Sequence, residues 1–339
     1  MHAVPSPTPP FDRKSSPDPW GRLRFDRRVP RETVHKSALA EVLLSDAARL
    51  GSERFAVGAA WHRDHFLGHL GGPAADSVLL AETVRQAAIH LSHRFLEIPL
   101  HRPFVLSELA VDLDEALPPV DATPLALGLD VHARRTAGNP RRSRFELDAV
   151  VRAGHGPVGR ARMRWEAVEP RLYTTLRKRG APGPDTTPPR QHARAVPLLP
   201  SRVGQRHGRD VLLAADEARS GRWWLRLDLG HPVLFDHESD HIPGMALLEA
   251  FRQALVVTTA QEYGTRAPDA ARCVRSLASA FTSFGELDQP VSITAERAAD
   301  DGRDEGVALV LRAAQGDREL AYARAACAAP CRHRAGAAC

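Results

Sequence analysis

No stretch of this 339-residue chain comes near the ~20 consecutive apolar residues that a bilayer-crossing helix requires, so a membrane-spanning protein is not expected. Met1 to Pro19 is rich in Pro and Ser and has no apolar core of the signal-peptide kind. The expectation is a disordered leader over residues 1–28 on a cytoplasmic protein. Cysteine is scarce: Cys273 lies alone, and Cys327, Cys331 and Cys339 share a polar tail with His333 at a spacing that matches no usual zinc framework. Neither a disulfide scaffold nor a metal site is expected. A phosphate loop for nucleotides is missing as well, because Gly68, Gly71 and Gly72 lack the strand-loop-helix fingerprint. There is no nucleophile elbow, no evident Ser/His/Asp triad and no reactive-cysteine signature. If the chain is an enzyme, these absences favour direct transfer between two bound substrates without a protein-linked intermediate or a cofactor.

What is present is an ordinary globular composition, 43% apolar and 26% charged, in a length that accommodates about two domains of ~100–200 residues. The net charge of +5 is modest and concentrated: Pro170 to Arg209 carries nine Lys or Arg and one acidic residue, Asp185. No nucleic-acid-binding module accompanies this basic run, so it reads first as a solvated linker. A second reading has Arg177, Lys178 and Arg179 steering an acidic partner.

A nine-residue pattern occurs twice, as LLAETVRQA (Leu79–Ala87) and ALLEAFRQA (Ala246–Ala254). Each copy sets Glu, Arg and Gln at i, i+3 and i+4 in an apolar helical stretch, and Glu82 and Glu249, like Arg85 and Arg252, lie 167 residues apart. A repeat of this period implies a duplicated domain. The flanking pattern agrees. A strand over Arg54–Trp61 leads through the loop Asp64–Asp76 to a helix from Ser77 to about Glu97, followed by strand signals near Phe104–Leu113, Leu125–Arg134, Ser143–Val151 and Val158–Val168. The second half repeats the order. Strands near Asp210–Ala215 and Arg222–Asp228 precede the loop His231–His241, Pro243-Gly244 opens a helix to Tyr263, and strands follow near Val274–Phe284, Val291–Arg297, Val307–Ala313 and Leu320–Ala326. One long helix among several antiparallel strands is an α+β layout in which the sheet must curl around the helix, the arrangement called a hotdog. The expected organisation is a tandem hotdog: leader 1–28, repeat one 29–169, Pro/Arg-rich linker 170–206, repeat two 207–327 and polar tail 328–339. The two repeats form a pseudo-dimer within one chain.

Ionised groups on a wrapped helix require partners or an opening to solvent. Glu82 with Arg85, and Glu249 with Arg252, can pair at i, i+3 as local salt bridges, but recurrence of the whole triplet argues for chemistry. The helix N-terminus at Pro243-Gly244 offers unpaired N–H groups to a developing oxyanion, and Gly244 allows close approach. A carboxylate one to two turns on can act as general base, and an arginine can hold a phosphate. Glu82, Glu249 and Arg252 are therefore the expected catalytic groups, with Arg85, Gln86, Gln253, His237, Gly244 and His65 expected to bind substrate. His35 and Lys36 are within reach of a phosphate but read more simply as solvated surface.

The segments VHKSALAEVLLSD (Val34–Asp46), FAVGAAWHRDHF (Phe55–Phe66), LLAETVRQA (Leu79–Ala87) and HPVLFDH…HIPGMALLEAFRQA (His231–Ala254) together resemble the A-factor biosynthesis hotdog family. The resemblance runs from about Val29 to Ala326. It implies an acyltransferase of γ-butyrolactone signal biosynthesis that moves a β-ketoacyl group from an acyl carrier protein thioester to the hydroxyl of dihydroxyacetone phosphate. It implies that Glu249 or Glu82 deprotonates that hydroxyl, that Arg252 binds phosphate or oxyanion, and that the acidic partner is the carrier protein. Repeat two also resembles the dehydratase hotdog motif. Pro243-Gly244 and Glu249 fit it, whereas His237 stands too close to Pro243 and the first Pro-Gly is absent. A hydratase, dehydratase or thioesterase is therefore the alternative enzyme class, and a non-catalytic hotdog binding an acyl ligand or a partner is the third. Glu249→Gln and Arg252→Ala are expected to lower turnover by about tenfold or more without unfolding.

Overall fold

Alternation of apolar and polar residues decides which face of each strand turns inward. In β5 (Arg142–Ala153) and β12 (Val307–Gln315) every second side chain is buried, while the residues between them face outward. The computed structural model describes residues 19–62, 77–115, 117, 124–154, 156–180, 195–216, 219–272, 274–298 and 306–328. Within them β1 (Leu44–Arg49), β2 (Arg54–Trp61), β3 (Phe104–Leu113), β4 (Leu125–Asn139), β5 and β6 (Gly156–Val168) form the first half-sheet. The second comprises β7 (Val196–Pro197), β8 (Leu213–Ala215), β9 (Arg222–Leu225), β10 (Val274–Phe281), β11 (Ser292–Arg297), β12 and β13 (Arg318–Cys327). Helices α1 (Ser77–Phe95), α2 (Pro170–Gly180), α3 (Gly244–Tyr263) and α4 (Ala267–Arg272) complete the chain.

The strands join into one antiparallel sheet of order β1-β2-β4-β5-β6-β3-β10-β13-β12-β11-β9-β8-β7. Read outward from the middle, each half follows the same succession, and the halves meet where β3 pairs with β10, Asp112 opposite Ser276 and Glu108 opposite Ala280. Each half-sheet wraps one long helix. From Ser77 to Ser92 of α1 all residues but Arg85 are buried, and α3 is buried without exception from Met245 to Val257. This is the tandem hotdog. The sheet's outer face carries cross-strand ion pairs such as Arg162 with Asp148 and Arg164 with Glu108, which are partly exposed and contribute little each. Burial of α1 and α3 stabilises the fold far more: truncating a fully buried leucine such as Leu80 or Leu248 to Ala costs about 2–5 kcal/mol.

Two expectations need correction. The start of the 170–206 segment is not a solvated linker. Pro170 is tolerated in the first turn, no Pro or Gly interrupts the next nine residues, and α2 forms. Its Arg177, which the second reading had steering an acidic partner, is engaged by Asp240 and Glu286 of repeat two. The strand expected near Asp210–Ala215 begins only at Leu213, because Gly208–Asp210 forms a turn of 3-10 helix. The loop Asp64–Asp76 with His65, residues 181–194 of the linker, and Cys273, Cys331, His333 and Cys339 lie outside the described residues. Among the described residues no helix is long and apolar enough to cross a membrane.

Candidate active site

Each central helix holds its triplet in the same way. On α1, Arg85 donates from Nε and Nη2 to the two oxygens of Glu82 at 2.7 and 2.8 Å. Gln86 donates from Nε2 to Glu82 Oε1 at 2.9 Å and to the Glu41 carbonyl at 2.8 Å, and its Oε1 accepts the Leu43 N–H at 2.9 Å. On α3, Arg252 donates to Glu249 at 2.8 and 2.7 Å, and Gln253 donates to Glu249 at 2.8 Å and to the Asp210 carbonyl at 2.8 Å while accepting the Leu212 N–H at 2.9 Å. The glutamines thus tie the segments preceding β1 and β8 to the central helices. Gln86 and Gln253 were expected to bind substrate. Both are fully buried with both amide N–H groups engaged by protein, so their role is to clamp.

The environments of the two triplets then diverge. Lys36 Nζ lies 3.2 Å from Glu82 Oε1, with only 5% of its side chain exposed, so this lysine is not solvated surface. The place it would hold in repeat two belongs to Gln205, which donates to Glu249 Oε1 at 2.7 Å. Glu249, Arg252 and Gln253 are sealed on all sides. Arg252 also donates to the Val203 carbonyl at 3.3 Å.

A cavity of about 1100 Å³ opens between the repeats, and among the triplet residues only Glu82 and Arg85 border it. Its polar end contains Lys36, Arg85, His35, Asp236 and His237, and its walls include Leu106, Val233, Phe235, Met245, Phe281 and Leu287. The structure therefore brings Glu82, Arg85, His237 and Gly244 together and leaves Glu249 and Arg252 away from the cavity. They were expected at the chemistry. The segment from Val203 to Leu212 covers them instead, held by hydrogen bonds to the Val203 carbonyl and from the Leu212 N–H.

Burial opposes the charge on Glu82, but Arg85, Lys36 and the hydrogen bonds of Arg85 and Gln86 overcome it and hold the carboxyl well below the usual carboxylate range. A carboxylate so stabilised is a weak proton acceptor at neutral pH. The geometry thus gives Glu82 the role of an anchor for two cations rather than the base expected from the repeat. Arg85, whose guanidinium Glu82 keeps charged against burial, has no protein partner for Nη1 among the described residues. Burial, then the fields of His93, Arg85 and His237, lower the pKa of His35 to about 3. His237 is lowered too, by burial and then by Arg85 and Lys36, so both imidazoles are neutral at pH 7.

Asp236 was missed in the sequence because its function is tertiary. It accepts the N–H groups of Ser37 and Ala38 at 2.7 and 2.9 Å, so a loop of repeat two fixes the residue after Lys36. His35, beside it, has φ 53°, a left-handed conformation that costs energy in a residue other than glycine. Its Nε2 lies 2.9 Å from His93 Nε2, and His93 Nδ1 lies 2.7 Å from the Ile98 carbonyl. The carbonyl requires the proton on His93 Nδ1, so His35 donates from Nε2. On the opposite wall Pro243 opens α3 with no side-chain cap, and a Cβ at Gly244 would stand 3.1 Å from the Phe281 ring and 3.4 Å from Leu106. A methyl group there would have to push the Phe281 ring aside by a few tenths of an ångström, so glycine gives the helix entrance its room.

A family model described as the A-factor biosynthesis hotdog domain matches residues 21–169 and 185–330. A protein of Streptomyces virginiae named 2-oxo-3-(phosphooxy)propyl 3-oxoalkanoate synthase is 35% identical over 285 residues, covering 81% of this chain and 90% of the relative. One of the same name from Streptomyces coelicolor is 30% identical over 273 residues, covering 79% and 81%. Among solved structures, a putative thioesterase from Novosphingobium aromaticivorans is similar at 13% identity and a TM-score of 0.48, covering 84% of this chain and 98% of its own. An acyl-ACP thioesterase from Bacteroides thetaiotaomicron is similar at 13% identity and a TM-score of 0.44, covering 81% and 99%.

Proposed function

This chain belongs to the A-factor biosynthesis hotdog family, and from that premise we propose that it transfers a β-ketoacyl group from an acyl carrier protein thioester to the hydroxyl of dihydroxyacetone phosphate, within γ-butyrolactone signal synthesis. The observation that carries this reading is the cavity between the repeats, which combines an apolar wall of Leu106, Val233, Phe235, Met245, Phe281 and Leu287 with two cations that share one buried carboxylate. A ligand with an apolar chain and a phosphate matches that distribution. The phosphate lies against Arg85 Nη1 and Lys36 Nζ, where charge-assisted hydrogen bonds are strong and the surroundings are dry.

The thioester carbonyl lies at the entrance of α3. The first backbone N–H groups of a helix have no partner within it, and the helix dipole adds partial positive charge. Negative charge grows on the carbonyl oxygen as the alcohol attacks, so donors at Gly244 and Met245 bind the transition state more tightly than the substrate. Glu82 holds Arg85 and Lys36 in place, and Glu249 with Arg252 maintains the matching helix of the second repeat.

The test is to give purified protein a β-ketoacyl carrier protein with and without dihydroxyacetone phosphate and to follow both thioester and phosphate by mass spectrometry. A phosphorylated β-keto ester that forms only when both are present supports the reading. Thioester loss at the same rate without the alcohol makes the protein a thioesterase, and an intact thioester makes it a binding protein.

A further inference from the structure

Two residues before the entrance of α3 lies a dyad that none of the roles above uses. His241 Nδ1 is 2.7 Å from Asp240 Oδ1. Tyr173 of α2 donates its hydroxyl to the same oxygen at 2.7 Å and lies 3.2 Å from His241 Nδ1. Asp240 Oδ2 accepts from Arg177 Nε at 3.1 Å, and Arg177 is held in turn by both oxygens of Glu286 at 2.9 Å. The His241 ring stands edge-on to Phe284, with centroids 4.9 Å apart. A carboxylate beside Nδ1 requires the proton there, which leaves the lone pair on Nε2, and Nε2 has no hydrogen-bond partner among the described residues. Tyr173, Asp240, His241 and Gly244 all border the cavity.

We propose that His241 is the general base and then the general acid of this cavity, with Asp240 and Tyr173 as the positioning residues that fix its tautomer and ring plane. The proposal rests on the acyl-transfer reading and supplies the proton acceptor which Glu82, bound to two cations, cannot be. In the first half of the step, Nε2 takes the proton of the acceptor hydroxyl as its oxygen bonds to the thioester carbon and the carbonyl electrons move onto oxygen. In the second half the carbonyl re-forms, the C–S bond breaks, and the imidazolium returns the same proton to the departing sulfur. Protons and electrons balance without a further reactant.

The charged and titratable groups facing the imidazole are Asp240 beside it, Tyr173 and Arg177 on α2, and Glu286 behind Arg177. Burial lowers the pKa of His241 more than Asp240 raises it, so the ring is neutral at pH 7 and able to accept a proton. Burial and Asp240 push the Tyr173 phenol above its ordinary range, which keeps it a donor. The arrangement also gives α2 a purpose, since its side chains orient the dyad from across the cavity mouth.

The test uses the full chain in the two-substrate assay. His241→Gln and His241→Ala are expected to lower kcat about 100-fold or more, the usual scale for a positioned base, while dihydroxyacetone phosphate binds as in wild type by calorimetry. Added imidazole restores part of the His241→Ala rate. Asp240→Asn favours the wrong tautomer and lowers kcat with little effect on the acceptor KM, and Tyr173→Phe moves the acid limb of the kcat/KM profile. A folded His241→Gln protein within threefold of the wild-type rate overturns the proposal while the transferase reading stands, as does a His241→Ala protein that imidazole does not rescue. A wild-type protein that forms no ester removes the transferase reading and this inference with it.

Discussion

Gln205 stands on Glu249 as Lys36 stands on Glu82. Lys36, Glu41 and Leu43 in repeat one correspond to Gln205, Asp210 and Leu212 in repeat two, each 169 residues further along, and every hydrogen bond from Gln86 has its counterpart from Gln253. The two sites therefore share a frame and differ by one cation. In repeat two one arginine and two amides satisfy a carboxylate that does not border the cavity between the repeats. In repeat one a second cation is added where the wall opens, and in the proposed reaction that cation gives the first repeat the phosphate and leaves the second repeat as support.

Lys36→Gln writes the repeat-two residue into repeat one. A glutamine there is expected to donate to Glu82 as Gln205 donates to Glu249, and Glu82 keeps Arg85 and Gln86. Losing one charge-assisted contact to phosphate costs about 1.5–3 kcal/mol, so the KM for dihydroxyacetone phosphate is expected to rise roughly 10–100-fold with the thioester KM unchanged. Saturation kinetics in each substrate check this. An unchanged acceptor KM removes Lys36 from the phosphate site.

Glu249→Gln is expected to act on stability. Glu249 is 0% and Arg252 1% exposed, and removing one partner of a buried pair leaves the other charge uncompensated at a cost of about 3–5 kcal/mol. Urea unfolding should show that loss, while the activity per folded molecule stays near wild type. This replaces the expectation from the repeat alone, that the substitution lowers turnover in a stable protein. A stable variant with turnover reduced tenfold restores Glu249 to the chemistry.

What the sequence disclosed and what it withheld divide along physical lines. Period-2 and period-3.6 patterning placed both central helices and most strands within a few residues, because the patterning records which face is buried, and the duplicated triplet announced the tandem fold. Solvent exposure was not readable in the same way. Lys36 is polar and flanked by His35 and Ser37, so it looks solvated until Asp236, 200 positions away, accepts the N–H groups that follow it. Arg177 sits in a basic run and pairs with Asp240 and Glu286, which no local pattern links to it. His241 was obscured by its neighbour His237, although its place two residues before Pro243-Gly244 was a usable signal.

Acid should destabilise the protein through its buried histidines. His90 is 5% exposed, its Nδ1 lies 2.8 Å from Thr33 Oγ1, and burial, then Arg94 and His93, lower its pKa to about 4. His35 is lowered to about 3. Both bind their proton more readily when unfolded, so their neutral native forms are fully favoured above pH 6.5 and lose ground as the pH falls from 6.5 towards 4 and 3. Each contributes up to about 1.4 kcal/mol per pH unit in that window. Glu82 adds a further loss as the pH falls through the ordinary carboxylate value, because the unfolded chain takes up that proton while the depressed folded carboxyl does not. His90→Asn, which keeps a polar atom near Thr33 but cannot titrate, is expected to flatten the slope of unfolding free energy between pH 6.5 and 4. An unaltered slope means that other groups govern acid unfolding.

Gly244→Ala tests whether the α3 entrance receives the acyl thioester. The added methyl stands 3.1 Å from the Phe281 ring and 3.4 Å from Leu106, both cavity residues, so it narrows the space in front of the first helical N–H groups. Alanine is the better helix former by about 1 kcal/mol in a helix interior, and that preference works against a loss of stability from the tighter contact. Folding is therefore expected to survive and chemistry to suffer. Removing one oxyanion donor from reach costs about 100–1000-fold in kcat, and a partial obstruction is expected to cost at least about tenfold, with phosphate binding at Lys36 and Arg85 intact. Circular dichroism, calorimetry with dihydroxyacetone phosphate and the two-substrate assay separate these effects. Wild-type turnover in Gly244→Ala would place the thioester carbonyl elsewhere in the cavity, because the new methyl crowds Phe281 and Leu106 at the helix entrance the proposal gives to that carbonyl.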